Sequence, residues 1–408
     1  MISVILCAGK STRTYPLTVT RPKPLLPVVN KPIIEYQLSA LSSFTDKFIL
    51  VVGYRREMIM KRLGNVWNGV KIEYIVQEEQ KGTGHAVLLC EEQVKGRFIV
   101  VNGDDLFSPE DLKRLSQQMR PTALVKEVED PRSYGIYEID SDGKVRRLVE
   151  KPKTVFSHLA NIGAYLFTPE IFPAIRNTSL SERGEIEITS AIQGLAEQSG
   201  FWVIYAEDYW LPIGYPWDLL KANAFLLDRM TGTKILGKLC EGVHIEGNVF
   251  IDEDTIVKPG VVIEGPVYIG KNCTIGPNCW IRPYTTIGNQ CRVGQASEIK
   301  NSILFDGAYA PHQNYVGDSI LGEGVNLGCG TVTANVRHDG QTHKSVVNGV
   351  LIDTGLKKLG AIIGDSVHTG ILTAIYPGRK MWPNTFTRPG EIVDRDIIGE
   401  EFENEAKE

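Results

Sequence analysis

Glycine, arginine and lysine crowd the stretch CAGKSTRTYPLTVTRPKPLLPV, residues 7–28, which follows an apolar run over residues 1–6. A glycine loop leaving a strand lets main-chain N–H groups approach a phosphate, and a nearby Arg or Lys neutralises its charge. Gly9, Arg13 and Lys23 are therefore candidates for a polyphosphate cradle; the competing reading is a surface turn with solvated charges. Arg21, in the same stretch, receives no role. Further on, NGDD (residues 102–105) closes the apolar run RFIVV. This puts Asp104 at the carboxyl end of a strand, where open α/β sheets bind ligands, and a carboxylate there can share a magnesium ion with phosphate oxygens. An Asx turn ahead of a helix opened by Ser108 is the competing reading.

A second group of reactive side chains lies late in the chain. PHQNYVGDS (residues 311–319) and GCGTVTANVRHDGQTHK (residues 328–344) gather His312, Tyr315, Asn335, His338, His343 and Lys344. A histidine titrates near neutral pH and can take the proton of an attacking amine, as acyl transfer requires, and a thioester donor needs no nucleophile on the protein. By chemistry alone, a structural or surface histidine competes with this reading of His312.

The elements that must position these residues show two different periodicities. Through about residue 230, near-continuous apolar runs (ISVIL, KFILVVG, KIEYIV, RFIVVNGDD) alternate with helical patterns over residues 31–43 and 84–94. This reads as an α/β layer with a largely parallel sheet. Residues 122–167 are richer in strand pieces joined by turns and read as a lid or specificity element grafted on that core. A helix starting at Pro216 leads to the boundary. Beyond it Ile245, Ile251, Val257, Ile263, Ile269, Ile275, Ile281, Ile287, Val293 and Ile299 recur every six residues. That period suits a chain turning a corner every hexad with one aliphatic side chain per edge in a triangular core, a hexapeptide β-helix. The rhythm is disturbed between about Phe305 and Leu359 and resumes at Ile363, and such insertions map to protruding, binding loops.

A chain of 408 residues exceeds one typical domain, so the expected division is residues 1–230, a linker over 231–242, a β-helix over 243–396 and an acidic tail over 397–408. With 44 basic against 49 acidic residues and a net charge of -5, there is no electrostatic footprint for nucleic acid. The seven cysteines include no CxxC pair, and Cys273, Cys279 and Cys291 follow the hexad, which implies packing rather than metal binding. The short first apolar run lacks a basic leader, and no stretch is long enough for a membrane span; a cytoplasmic protein is expected.

The opening stretch resembles the signature of sugar-1-phosphate nucleotidylyltransferases, a Gly-x-Gly-Thr-Arg loop followed by Pro-Leu-Thr and Pro-Lys-Pro. QEEQKGTGHA (residues 77–86), NGDD, VEKPK (149–153), ANIGAYLF (160–167) and GEIEIT (184–189) are similar to its later motifs, in the same order. The resemblance implies a Rossmann-like nucleotidyltransferase domain in which a sugar phosphate attacks the α-phosphorus of a nucleoside triphosphate, releasing pyrophosphate without a covalent enzyme intermediate. It implies Gly9 and Arg13 on the triphosphate, Lys23 on the transferring phosphates, and Gln77, Gly82 and Thr83 on the base. Asp104 would hold Mg²⁺, and Gly135, Glu150 and Asn161 the sugar. The QEEQKGTGHA form is closest to the branch using UTP and N-acetylglucosamine 1-phosphate, ahead of dTTP. Two positions depart from the pattern: Ser11 replaces the second loop glycine, and Pro212 stands where the family carries a metal-binding aspartate. Either Asp208 or Asp218 supplies the second carboxylate, or the activity is weakened.

The words around His312 resemble the acetyltransferase half of the archaeal-type bifunctional glucosamine-1-phosphate acetyltransferase/N-acetylglucosamine-1-phosphate uridylyltransferases. This implies His312 as base, Tyr315, Asn335 and Lys344 around the sugar phosphate, and acetyl-CoA along the coils near residues 360–378. It also implies a left-handed parallel β-helix that assembles a homotrimer. The alternatives are a single-activity glucose-1-phosphate thymidylyltransferase or mannose-1-phosphate guanylyltransferase with a purely structural β-helix, and a catalytically silent nucleotide-sugar sensor.

Overall fold

The computed structural model describes residues 1–407, and the chain divides into two compact units. The first holds Met1–Lys10, Pro22–Leu25 and Ile33–Pro212; the second holds Ser11–Arg21, Leu26–Pro32 and the chain from Ile213 onward. The division falls at Pro212, ahead of residue 230, because helix Asp218–Asp228 belongs with the second unit. There Asn223 accepts from Thr286 Oγ1 at 2.7 Å and donates to the Tyr284 carbonyl at 3.0 Å.

In the first unit four parallel strands form the centre of a ten-stranded sheet. Strand β1 (Ile2–Cys7) lies between β2 (Lys47–Val52) and β4 (Phe98–Asn102), and β3 (Val70–Val76) continues beyond β2. The inner three are mostly apolar because both faces are covered: Val4, Ile49 and Val100 enter one buried cluster, Ile5, Leu50 and Val101 the other. Strand order switches at β1, so Cys7 and Asn102 end side by side at the edge where such sheets bind ligands. The corner is tight. The Gly103 N–H donates to the Leu6 carbonyl at 2.8 Å, and a Cβ at Gly103 would fall 2.4 Å from Cys7 Sγ.

Residues 122–167 are part of this sheet, which corrects the expectation of a grafted lid. Strands β5 (Thr122–Glu127), β6 (Gly135–Ile139), β7 (Val145–Glu150) and β8 (Leu159–Phe167) extend it, with β8 antiparallel to β4 from Ala164↔Val101 to Phe167↔Phe98. Ala164 to Phe167 are fully buried, so ANIGAYLF is a core strand. Its pairing with β5 breaks between Asn161 and Tyr165, where Gly163 (φ +78°) faces Asn102 so closely that a Cβ would overlap it.

In the second unit the hexads form three parallel sheets, each strand pairing with the one a full turn later. Ile251, Ile269 and Ile287 stack in one, eighteen residues apart, and Ile263, Ile281 and Ile299 in another. All are buried in a single apolar column. Cys273, Cys279 and Cys291 are buried, free thiols at corners of this column, donating to the carbonyls of Gly288, Gly294 and Phe305; no three His, Cys, Asp or Glu side chains among the described residues are grouped to hold a metal. The coil begins earlier than the expected linker allows, since Lys234–Ile235 already pairs with Phe250–Ile251.

The coil also continues through residues 305–333. Leu304 pairs with Ile287 and Leu321 with Leu304, so the chain shortens a turn by one residue and keeps winding. The one long insertion follows Thr333: Leu321 pairs next with Ile363, and the intervening chain includes an antiparallel hairpin, β9 (Lys344–Val347) and β10 (Val350–Asp353). In the acidic tail Phe402 lies 5.9 Å from Trp382, ring to ring. No helix among the described residues is long and apolar enough to cross a membrane.

Candidate active site

At the end of β4, two of the expected phosphate-handling residues meet. Lys23 sits in a short turn, Lys23–Leu25, and its Nζ donates to Asp104 Oδ2 at 2.8 Å. The lysine side chain is 5 % exposed and the aspartate 37 %, so the cation is held from behind while the carboxylate faces solvent. Gln37 Nε2 donates to the carbonyls of Asn102 and Asp105, and Trp210 Nε1 to Asp105 Oδ2 at 3.1 Å, which fixes the strand-end loop. Trp210 lies two residues before Pro212.

The residues present offer a magnesium ion one carboxylate. Asp208 Oδ2 accepts from Ser108 Oγ at 3.1 Å, and Asp218 Oδ2 accepts the N–H groups of Gly214 and Tyr215 at 3.0 and 2.9 Å. Both are engaged in local structure, and no cluster of three ligands exists among the described residues. Asp104 alone still suits Mg²⁺, which commonly takes one or two protein carboxylates and completes its shell with waters and substrate phosphates.

The motifs expected to hold the base and the sugar also lie in the first unit. Gln77, buried just beyond β3, donates through Nε2 to the Gly82 carbonyl at 3.2 Å and lies 3.0 Å from His85 Nδ1. Gly82 (φ +95°) opens helix Thr83–Leu88 against the GEIEIT segment: a Cβ there would fall 2.7 Å from the Ile186 carbonyl oxygen. Thr83 Oγ1 accepts the Ile188 N–H at 3.2 Å. At Gly135 an added Cβ would lie 2.9 Å from Thr189 Cγ2, 3.0 Å from Glu150 Oε2 and 3.4 Å from Asn161 Cβ. The three residues assigned to the sugar are thus neighbours, because β6 pairs with both β7 and β8.

Thr189, Glu187 and Arg183 join them without having been singled out by sequence. Thr189 Oγ1 donates to Glu150 Oε2 at 3.3 Å, while Arg183 Nη2 lies 2.6 Å from Glu187 and 3.7 Å from Glu150. Burial, reinforced by Glu187, holds the Glu150 carboxyl above its ordinary value against the opposing pull of Lys151 and Arg183. Asn161 is oriented by Tyr165, whose hydroxyl accepts from Nδ2 at 2.7 Å. The only sequence signal for the added residues was their place in or beside GEIEIT.

Gly9 follows β1 directly in the first unit, whereas Ser11 and Arg13 belong to the second. Ser11 adopts φ 55°, ψ 52°, the left-handed region that a glycine would occupy without strain. Its carbonyl accepts from Thr14 Oγ1 at 2.7 Å and Thr18 Oγ1 at 2.9 Å, which closes the turn Thr12–Thr14. The Arg13 guanidinium stands 5.7 Å over the Tyr215 ring.

In the second unit His312 stands apart from the other expected residues. His312 ends strand Tyr309–His312, is exposed, and its imidazole has no hydrogen-bond or ionic partner among the described residues. Its main-chain N–H donates to Asn314 Oδ1 at 3.1 Å, and Asn314, buried, donates to the Gly328 carbonyl, so the corner itself is rigidly tied. Tyr315 and Asn335 do meet: Asn335 Nδ2 donates to the Tyr315 hydroxyl at 3.2 Å and to the buried Asp318. Asp318 also accepts from Asn301 Nδ2 at 2.7 Å. Burial is the largest of the effects that raise the Tyr315 phenol above its ordinary value. The Asn335 carbonyl lies 3.0 Å from Nε2 of His343, a buried imidazole that desolvation holds below the ordinary value. Lys344 lines a cleft of about 550 Å³ together with Arg337, His338, Tyr376, Arg379 and Asp394, and His312 is not part of its lining.

Comparison with known proteins follows this division. Residues 2–229 match the nucleotidyl transferase family and residues 263–376 the GMPPB C-terminal domain. Bifunctional protein GlmU of Methanococcus maripaludis is 43 % identical over 98 % of this chain and 97 % of its own. The bifunctional sugar-1-phosphate nucleotidylyltransferase/acetyltransferase of Sulfurisphaera tokodaii is 38 % identical, covering 98 % of this chain and 99 % of its own. A crystal structure from Bacillus anthracis, described as a glucose-1-phosphate thymidylyltransferase in complex with sucrose, is 28 % identical with a TM-score of 0.52, over 57 % of this chain and 98 % of that one. With a family model covering more than half of its length and archaeal relatives aligned from end to end, the chain belongs to the nucleotidyl transferase family, in its bifunctional GlmU-like branch.

Proposed function

We propose that the chain performs two successive transfers. The second unit moves an acetyl group from acetyl-CoA to the amine of glucosamine 1-phosphate or a related amino-sugar phosphate. The first unit then joins the N-acetylated sugar 1-phosphate to the uridylyl group of UTP and releases pyrophosphate. The observation that carries the nucleotidyl half is the meeting of Gly135, Glu150, Asn161 and Thr189, drawn from separate motifs, within contact distance. The acetyl half is supported by the end-to-end likeness to relatives named as bifunctional.

In the nucleotidyl step a phosphate oxygen of the sugar 1-phosphate attacks the α-phosphorus, and the bond to the β-phosphate breaks with its electron pair leaving on pyrophosphate. No side chain need act as nucleophile; catalysis is positioning and charge neutralisation. Lys23 serves the transferring phosphates, with Gly9 and Arg13 on the triphosphate and Gln77, Gly82 and Thr83 on the base. Asp104 would hold Mg²⁺, which supplies further neutralisation when bound. Lys23, donating to that carboxylate at 2.8 Å, orients it beforehand. Glu150 and Asn161 accept and donate hydrogen bonds to the sugar.

In the acetyl step the amine attacks the thioester carbonyl and forms the C–N bond, the C–S bond breaks with its electron pair leaving on the CoA sulfur, and the proton passes from the amine to His312 and on to the departing thiolate. The exposed His312 and the Lys344 cleft fit a left-handed β-helix whose acetyl site is completed by a neighbouring copy in a homotrimer. The competing reading, a β-helix that serves assembly alone, draws on the match of residues 263–376 to the GMPPB C-terminal domain. The test is a matrix of nucleoside triphosphates and sugar 1-phosphates with pyrophosphate release as readout, repeated with acetyl-CoA and amino-sugar phosphates. UTP with N-acetylglucosamine 1-phosphate and acetyl-CoA with glucosamine 1-phosphate should give the fastest turnover. Pyrophosphate release without any acetyl transfer would leave only the assembly reading.

A further inference from the structure

Arg21 has no place in the roles assigned so far, yet it is among the most enclosed cations of the second unit. Its side chain is 12 % exposed. Nη2 lies 2.6 Å from Asp365 Oδ2 and 2.9 Å from Glu323 Oε2, and the guanidinium stands 5.3 Å over the ring of Phe305. All three partners are carried by the β-helix. Asp365 is itself fixed there, its other oxygen accepting the Glu323 N–H at 2.7 Å, and it also accepts from Thr20 Oγ1 at 2.5 Å.

The rest of segment Ser11–Arg21 is fastened to the same coils. The Tyr15 ring meets Trp382 edge-on at 5.3 Å, in a cluster closed by Val19 and Phe402. Asn348, in the turn of the β9–β10 hairpin, donates to Thr12 Oγ1 at 2.9 Å. The hairpin is tied down in turn by buried Lys380, whose Nζ donates to the Val346 carbonyl at 2.6 Å. Between the Thr12 contact at one end and the Arg21 pairs at the other lies Arg13.

We propose that Arg21 is a positioning residue for nucleotidyl transfer: by pinning segment Ser11–Arg21 to the β-helix through Asp365 and Glu323, it sets where Arg13 is presented. This rests on the reading that Arg13 serves the triphosphate.

The experiment uses the full-length protein and the variants Arg21→Gln, Arg21→Lys, Asp365→Asn, Arg13→Ala and Arg13→Ala/Arg21→Gln. KM and kcat are measured for UTP, with the acetyl-transfer rate and thermal midpoint alongside. Loss of a charged hydrogen bond that orients a binding group should raise KM for UTP about tenfold in Arg21→Gln and Asp365→Asn while kcat stays within about twofold. Arg21→Lys should recover part of the loss, acetyl transfer should hold in the Arg21 variants, and Arg21→Gln should add nothing in the Arg13→Ala background. Unchanged KM in a folded Arg21→Gln protein, independent losses from Arg13 and Arg21, or a parallel fall in acetyl transfer would overturn the proposal. Should Arg21→Gln fail to fold, Arg21→Lys decides by the same criteria and Asp365→Asn by KM and kcat for UTP alone. A wild-type protein that releases no pyrophosphate from any triphosphate removes the nucleotidyl reading itself, whereas unchanged KM removes only the role of Arg21.

Discussion

The Gly135–Glu150–Asn161 cluster of the first unit and the His312 corner of the second were built from equally scattered sequence words, but they close differently. In the first unit residues 135, 150, 161 and 189 come into contact within one chain. In the second, Tyr315 meets Asn335, while His312 stands exposed and Lys344 faces a cleft that His312 does not line. The contrast lies in the architecture. A mixed sheet places strands of distant sequence side by side, so their ends can enclose a site. In a β-helix nearly every neighbour lies one turn away along the chain, so a single coil offers a flat wall, and depth has to come from an insertion or a second copy.

Four substitutions would break or sharpen this contrast. The largest effect is expected for His312→Ala, which should cut acetyl transfer on the order of a thousandfold, the scale of a lost general base. Pyrophosphate release with N-acetylglucosamine 1-phosphate should be unaffected; measuring both rates on one preparation tests it, and an intact acetyl rate would mean that this corner is only structural. Next, Lys23→Ala should reduce pyrophosphate release about a hundredfold or more by removing a preorganised charge from the transition state. Acetyl transfer by the same protein is the control, and a loss seen only in thermal stability would make Lys23 a structural cation.

Gly135→Ala should have a smaller effect, because the added methyl group must displace Thr189 or Glu150. Overpacking of this kind costs about 1–3 kcal/mol, so KM for the sugar phosphate should rise about tenfold with the KM for UTP little changed. An unaltered sugar KM would show that these residues do not bound the sugar.

The smallest effect concerns pH. Glu150 is held above its ordinary carboxyl value of 4.5 by burial and by Glu187, so the folded protein binds that proton more tightly than the unfolded chain. Its favourable contribution is complete below 4.5 and is lost as pH rises through the raised value. Glu150→Gln should remove this slope from the thermal midpoint over that window. A slope that persists in Glu150→Gln would assign it to another group.

Much of this was legible without coordinates. Ile251, Ile263 and Ile275 announced the coil because hexad periodicity is a local property, and the Gly9 loop and Asp104 were marked by residue types tied to strand ends. The insertion was drawn too broadly, since two five-residue steps, from Ile299 to Leu304 and from Val316 to Leu321, disrupt a sequence register that the backbone absorbs. Residues 122–167 were misread as a lid because short strands and turns look alike whether they cap a sheet or extend it. Thr189, Glu187 and Arg183 carried no signal of their own; they matter through proximity to Glu150.

By itself, then, the sequence determined the two architectures and the chemical types gathered in each, because strand runs, hexads and glycine turns act over a few residues. Only the tertiary structure decided which groups face one another. Lys23 and Asp104 are 81 positions apart, and Arg21 and Asp365 are 344. Both are pairs of opposite charge, but the sequence holds dozens of each sign, and Coulomb attraction selects a partner only after packing has brought two of them within a few ångströms and stripped away the water between.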